Sequence, residues 1–134
     1  YLLSGGCVAT FVADAVLGHA LASRAADAAL DALCAEFGAR AARLTAALRA
    51  ASLPPLAEPR GGYFVWVPLG ADAGRVLEIA REKHGVTFMP GRRCDVSGSP
   101  QLAQCARLCF ALEPSDRLEE GVARLAAAAA EARR

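Results

Sequence analysis

The 134-residue sequence predicts an α/β fold, a two-layer sandwich in which a short three-stranded sheet is packed by about four helices. Three observations predict it. Apolar residues recur at the three-and-four spacing of a helical face, most clearly as Leu30, Leu33, Phe37, Ala41, Leu44 and Leu48. Short runs of aromatic and β-branched residues, such as Tyr63–Val67, read as strands. The order is helix, helix, strand, helix, strand, long loop, strand, helix, with no internal repeat, and a chain of this length buries one ordinary core.

Residues 1–6 form a short apolar start followed by a turn, and Val8 to Ser23 is helical, with Phe11, Ala15 and His19, or Val12, Val16 and Leu17, available as an inward stripe. A second helix occupies about 25–52; its Arg40, Arg43 and Arg49 fall mostly off the apolar stripe and are expected on a solvated face. Leu53-Pro54-Pro55-Leu56 ends it, because a proline ring removes a backbone donor and biases the preceding residue away from helix. A linker through Arg60 leads to Gly61-Gly62. Tyr63–Val67 is apolar on both alternating faces, so it is expected to be covered on both sides, at the centre of the sheet.

Ala73–His84 then reads as a helix with Val76, Leu77 and Ala80 inward and Gly85 as its C-terminal stop. Val86–Met89 is a short strand ended by Pro90-Gly91. Residues 91–105 hold Gly, Ser, Pro and paired arginines with little periodicity, which marks them as a lid candidate. Ala106–Leu112 is the third strand. Ser115 or its neighbour is expected to cap a last helix reaching about Ala132, with Asp116, Glu119 and Glu120 near its start and Arg133 and Arg134 at its end, as the helix dipole favours.

Fifteen Lys and Arg against fourteen Asp and Glu leave a formal charge of +1, which gives no reason to expect a nucleic-acid or acidic-membrane partner. Mean hydropathy is positive, yet Asp14, Arg24, Asp27, Asp31 and Glu36 interrupt every stretch before it reaches the ~20 apolar residues a membrane span needs. Residue 1 is tyrosine, so the chain is expected to be a fragment, with any upstream targeting sequence outside view. Five cysteines, Cys7, Cys34, Cys94, Cys105 and Cys109, include no C-x-x-C pair and sit mostly among apolar neighbours; reduced, buried thiols in the cytoplasm or an organelle matrix are expected. Lys83 is the sole lysine, which matters because some covalent chemistry requires a lysine amine.

Arg107 is the first candidate for chemistry. It stands in the apolar strand Ala-Arg-Leu-Cys-Phe-Ala-Leu, and its guanidinium must find a partner or reach water. A carboxylate suits it, bound through two parallel charge-assisted hydrogen bonds. An arginine on the exposed face of an edge strand, or in an internal ion pair, is the commoner arrangement, and spacing alone does not separate these. Cys105 and Cys109 lie four apart on one strand face, but with His19 and His84 far away no zinc spacing results, and no metal is expected. Cys94 beside Arg92 and Arg93 has an electropositive setting without a positioned base, and is read as an incidental loop thiol. Ser4 has no His/Asp arrangement in view, and Gly5-Gly6 and Gly61-Gly62 lack the spacing of a phosphate loop. Tyr63 and Trp66 are read as core packing before ligand stacking.

Gly61-Gly62-Tyr63-Phe64-Val65-Trp66-Val67, then Gly85-Val86-Thr87-Phe88-Met89-Pro90-Gly91, then Ala106-Arg107-Leu108-Cys109-Phe110-Ala111, resemble in order and spacing the C-terminal region of class I/II aminotransferases, pyridoxal-phosphate enzymes of fold type I. Leu118–Leu125 resembles the family's closing helix, and the resemblance is nearest to the aromatic and 2-aminoadipate branch. It implies that residues 1–134 are the small C-terminal domain, with 1–52 a helical connection from a large domain and 61–134 an α/β core. It further implies that Arg107 grips the substrate α-carboxylate in amino transfer between an amino acid and a 2-oxo acid, and that the protein is a homodimer, the Tyr1–Gly6 segment approaching the partner. The Schiff-base lysine, the cofactor-binding Asp and Tyr and most of the phosphate cup would belong to the large domain. No catalytic residue is therefore expected in this chain, and pyridoxal phosphate is expected in the full-length protein but not on these residues alone. The alternative is a non-catalytic aminotransferase-like domain serving as a structural or interaction subunit or a ligand-sensing module. Cys94 and Cys109 stand where the family often has an aromatic and a serine.

Overall fold

The structure is a computed structural model that describes residues 7–96 and 98–134, with side chains from residue 12 onward. Expectations that rest on Tyr1–Gly6, on the side chains of Cys7 and Phe11, or on Ser97 lie outside the described residues. The chain forms two compact units, one up to Glu36 and one from Phe37 to Arg134.

The first unit holds helix α1 (Cys7–Ala22) and the start of helix α2 (Asp27–Ala50). Between them Arg24 adopts a left-handed φ of 57°, and its Nε pairs with Asp27 Oδ2 at 2.6 Å. The turn is closed by Ser23, whose hydroxyl donates to His19 O at 2.8 Å. The inward stripe expected on α1 is not found: Val12, Val16, Leu17 and Leu21 are exposed, as are Leu30 and Leu33 at the start of α2. Helical spacing makes a face but does not by itself cover it.

In the second unit the rest of α2 is followed by strand β1 (Phe64–Pro68), helix α3 (Ala73–His84), strand β2 (Met89–Pro90), short 3-10 turns at Gly91–Cys94 and Leu102–Gln104, strand β3 (Cys105–Cys109) and helix α4 (Ser115–Ala132). The three strands make an antiparallel sheet in the order β1-β3-β2. The fold class is therefore the predicted α/β sandwich, with its order corrected: β3, not the aromatic β1, is central. Two strand bounds also move. β2 is confined to Met89–Pro90, its expected residues 86–88 staying unpaired and Pro90 having no N–H with which to extend the ladder, and β3 stops at Cys109.

Alternation along the strands sorts their two faces. Val65, Val67 and Ala106 are buried against a helical layer that supplies Leu44 and Leu48 from α2, Val76 and Ala80 from α3, and Leu118, Val122 and Leu125 from α4. Phe64, Trp66 and Met89 are only half-buried, so the sheet is covered on one face and not on both as expected. Phe110, almost fully buried, meets Phe37 edge to face at 6.1 Å.

Helix α3 is well bounded. Asp72 Oδ1 accepts from the N–H groups of Gly74 (3.0 Å) and Arg75 (3.1 Å), and these bonds, Arg75 first, together with the Arg92 guanidinium, outweigh partial desolvation and hold its carboxyl below the usual carboxylate range. Gly85 closes the helix at a left-handed φ of 64°, as expected, and Val86 N–H reaches Ala80 O at 3.0 Å. Helix α4 starts where expected: Ser115 is its first helical residue and its neighbour Pro114 occupies the cap, without a side-chain bond. Past its end, Arg133 donates to Leu69 O at 2.7 Å. The segment marked as a lid is tied down where it begins: Gly91 is buried, and Arg92 pairs with Asp72 at 3.3 Å.

Candidate functional site

Arg107 lies in the middle of the central strand, opposite Trp66 on β1 and Met89 on β2. Strand alternation puts it on the sheet face that the helices leave uncovered. Its guanidinium carbon sits 4.1 Å from the centroid of the Phe64 ring, a cation–π contact that fixes the fork in place. The Nε atom is buried without a hydrogen-bond partner, and among the described residues no carboxylate pairs with the side chain. Neither commoner arrangement applies, since the strand is not at an edge and no ion pair is formed among the described residues. A buried donor left unsatisfied costs about 1–3 kcal/mol.

The register explains the space beside it. β2 pairs with β3 only at Met89↔Arg107 and Pro90↔Ala106, so residues 85–88 are unpaired with the second half of β3. A cleft of about 450 Å³ opens there, its lining including Arg107, Cys109, Thr87, Phe88, Leu118 and Val122. Four charged side chains of the post-β3 loop and α4 also line it, and they satisfy one another. Arg117 pairs with Glu113 (4.0 Å) and Glu120 (3.7 Å), while Arg124 pairs with Glu120 and donates to His84 O at 3.2 Å. A larger hollow of about 580 Å³ borders Asp72, Arg92, Asp95 and Gln104, but its Arg92 is already bonded to Asp72. Uncompensated charge distinguishes the Arg107 cleft, and size does not.

One contributor was not anticipated. Arg40 was expected in solvent; instead it is half-buried and its Nη1 donates to Ala111 O (2.8 Å) and Glu113 O (3.2 Å). It thereby ties the segment leaving β3 to α2, just beyond the Arg107 strand. The signal was its place three residues after Phe37 and four before Leu44, beside the apolar stripe and not opposite it. Arg43 and Arg49 do lie outside, paired with Glu119 (2.9 Å) and with Glu58.

The described cysteines are all free thiols, but only Cys105 is buried, where desolvation pushes its thiol up; Cys34 and Cys109 are exposed and Cys94 is half-buried. The expectation of generally buried thiols is thus corrected: an apolar neighbour in sequence points to the opposite face of a strand, as Leu108 does from Cys109. Among the described residues no group of three or more His, Cys, Asp and Glu is placed to hold a metal ion, and no helix is long and apolar enough to cross a membrane. Tyr63, just ahead of β1, is half exposed with its ring 4.5 Å from Phe64, and Trp66 is half-buried, so neither is fully buried core as expected.

The model for "Aminotransferase class I and II" fits residues 2–125, and the chain belongs to that family. Among solved structures it is similar to an aminotransferase from Mycobacterium tuberculosis (22% identity, TM-score 0.66, covering 78% of this chain and 27% of that one). It is similar too to a Pyrococcus horikoshii kynurenine aminotransferase in complex with PMP (31%, 0.60, 71% and 24%) and to an aminotransferase from Staphylococcus aureus (26%, 0.57, 72% and 24%). The chain spans about a quarter of the length of these structures. No curated protein matches it.

Aminotransferases of this family use pyridoxal phosphate, which is held through a lysine. Lys83, the only lysine of the sequence, ends α3 on the helical layer, is largely exposed and is ion-paired with Glu131. That contact, ahead of partial desolvation and helped by His84, holds the Glu131 carboxyl below the usual range. The described residues of this chain therefore do not fit the cofactor.

Proposed function

We propose that the chain is the small C-terminal domain of a pyridoxal-phosphate-dependent aminotransferase that transfers an amino group between an amino acid and a 2-oxo acid, and that Arg107 binds the substrate α-carboxylate. One observation carries this reading: the Arg107 fork, stacked on Phe64, keeps a buried Nε without a partner on an open face. A carboxylate accepts from Nε–H and a terminal N–H together, and the half-buried Phe64, Trp66 and Met89 keep water from competing. Orientation and charge compensation are this domain's share of the chemistry; the cofactor, in the full-length protein, supplies the electron sink.

In the same reading residues 1–52 connect to a large domain, 61–134 form the α/β core, and the enzyme is a homodimer. Its free thiols suit a reducing compartment, the cytoplasm or an organelle matrix. The test is kinetic: in the polypeptide as its cell makes it, Arg107→Leu raises KM for the amino acid at least tenfold while kcat changes less. An unchanged KM refutes the role. A second reading, a non-catalytic aminotransferase-like domain, is favoured by the sole lysine being tied to Glu131. Intact-mass measurement of the endogenous protein separates the two, since a natural product starting near Tyr1 has no lysine for the cofactor.

A further inference from the structure

Arg107 stands at a change in how β3 is held. At Ala106 and Arg107 the strand has partners on both sides, but Leu108 and Cys109 pair with β1 alone. Phe64, whose ring lies 4.1 Å from the Arg107 guanidinium, is opposite Cys109, in this singly held stretch. Arg107 and Phe64 are thus diagonal neighbours on one face, and any drift of the end of β3 against β1 slides the ring relative to the fork.

Just beyond that stretch the chain is gripped. Phe110 N–H donates to Tyr63 O at 3.2 Å, and the Phe110 ring meets Phe37 of α2 edge to face at 6.1 Å. Three residues along, on the same face of α2, Arg40 Nη1 donates to Ala111 O at 2.8 Å and to Glu113 O at 3.2 Å. From these contacts we infer that Arg40 is a positioning residue for Arg107. By fixing residues 111–113 it holds Cys109 in register with Phe64, and so keeps in place the ring on which the fork is ordered. A fork ordered beforehand loses less freedom when a ligand arrives. The inference rests on the reading of Arg107 as a carboxylate site and adds to it a residue of α2 that acts only through β3 and Phe64.

Two NMR readouts on the 134-residue chain test it. Without ligand, the Arg107 guanidinium signals are shifted upfield by the Phe64 ring against which they lie; on titration with propionate, the Arg107 Nε–H signal reports binding. Arg40→Met should move the ligand-free guanidinium signals downfield and weaken propionate about threefold, because a fork no longer held by the ring must be ordered on binding. Arg43→Met is the control. It removes the pair with Glu119 from the same helix and should leave both readouts as in the parent. Should Arg40→Met not fold, Arg40→Lys, which puts a point charge in place of the fork, is read in the same way.

A lower urea midpoint for Arg40→Met with either readout unmoved makes Arg40 a stability residue alone and overturns the inference. Equal changes in Arg43→Met overturn it too, since the effect would then come from α2 as a whole. A parent Nε–H signal that ignores propionate refutes the carboxylate reading instead. In that case the ligand-free ring-current comparison still decides whether Arg40 sets the place of the guanidinium.

Discussion

A methyl group added at Gly91 tests the packing of the first 3-10 turn against the second and the start of β3. A Cβ there falls 2.1 Å from Leu102 O and 3.0 Å from Cys105 O, both backbone atoms, whereas an ordinary C···O contact is about 3.3 Å. Gly91 is thus required by a close approach of two backbones, and its neighbours must move by about 1 Å to admit alanine. Overpacking of this kind costs about 1–3 kcal/mol. For a unit of this size each kcal/mol is worth roughly 4–8 °C in Tm, so Gly91→Ala is expected to melt about 10 °C lower by calorimetry. Gly38, in the interior of α2 with nothing within 4 Å of an added Cβ, makes the control. There the same substitution gains helix propensity and should raise stability by about 0.5–1 kcal/mol. If Gly91→Ala melts within about 2 °C of the parent, or Gly38→Ala is the more damaging of the two, the assignment of Gly91 to a backbone crossing is refuted.

Two further outcomes follow from single contacts. Arg40→Met removes the donor to Ala111 O and Glu113 O and should cost about 2 kcal/mol, read as a lower urea midpoint at constant slope; an unchanged midpoint denies the clamp. Asp72→Ala removes the α3 cap and should cost about 0.5–2 kcal/mol at neutral pH. Because the Asp72 carboxyl is lowered in the folded chain, its contribution is complete above the ordinary carboxylate range and is lost as pH falls through the lowered folded value. Denaturant curves of parent and variant should therefore converge only in acid below about pH 4, and a gap that stays constant to about pH 2 contradicts this origin.

The elements that could be read in the sequence are those whose signals are local. Helix α3 follows from Val76 and Ala80 at helical spacing and from Gly85, whose freedom at positive φ is a property of one residue. Strand order is not local. The aromatic run of β1 looks central because nothing in Tyr63–Val67 says that only Val65 and Val67 will meet helices, whereas β3 gains its place by pairing on both sides. The same limit governs the site. Arg107 is conspicuous in the sequence as a charge in an apolar strand, but its buried, unpartnered Nε depends on which groups the fold brings beside it, and nothing in its own strand records that. Arg40 was hidden for a different reason, since its acceptors are backbone carbonyls 71 and 73 residues away that leave no mark in side-chain chemistry. On α1, spacing marked a stripe through Val12 and Val16 without telling what would cover it.

The central claim, that the unpaired Arg107 guanidinium is a carboxylate receptor, is tested most directly by the NMR signal of its own Nε–H. On titration of the 134-residue chain with propionate, that signal should shift downfield and saturate as the buried donor gains its first acceptor, together with the Trp66 indole signal across the strand pair. An Nε–H resonance that does not move while propionate reaches saturating shifts elsewhere on the chain would contradict it.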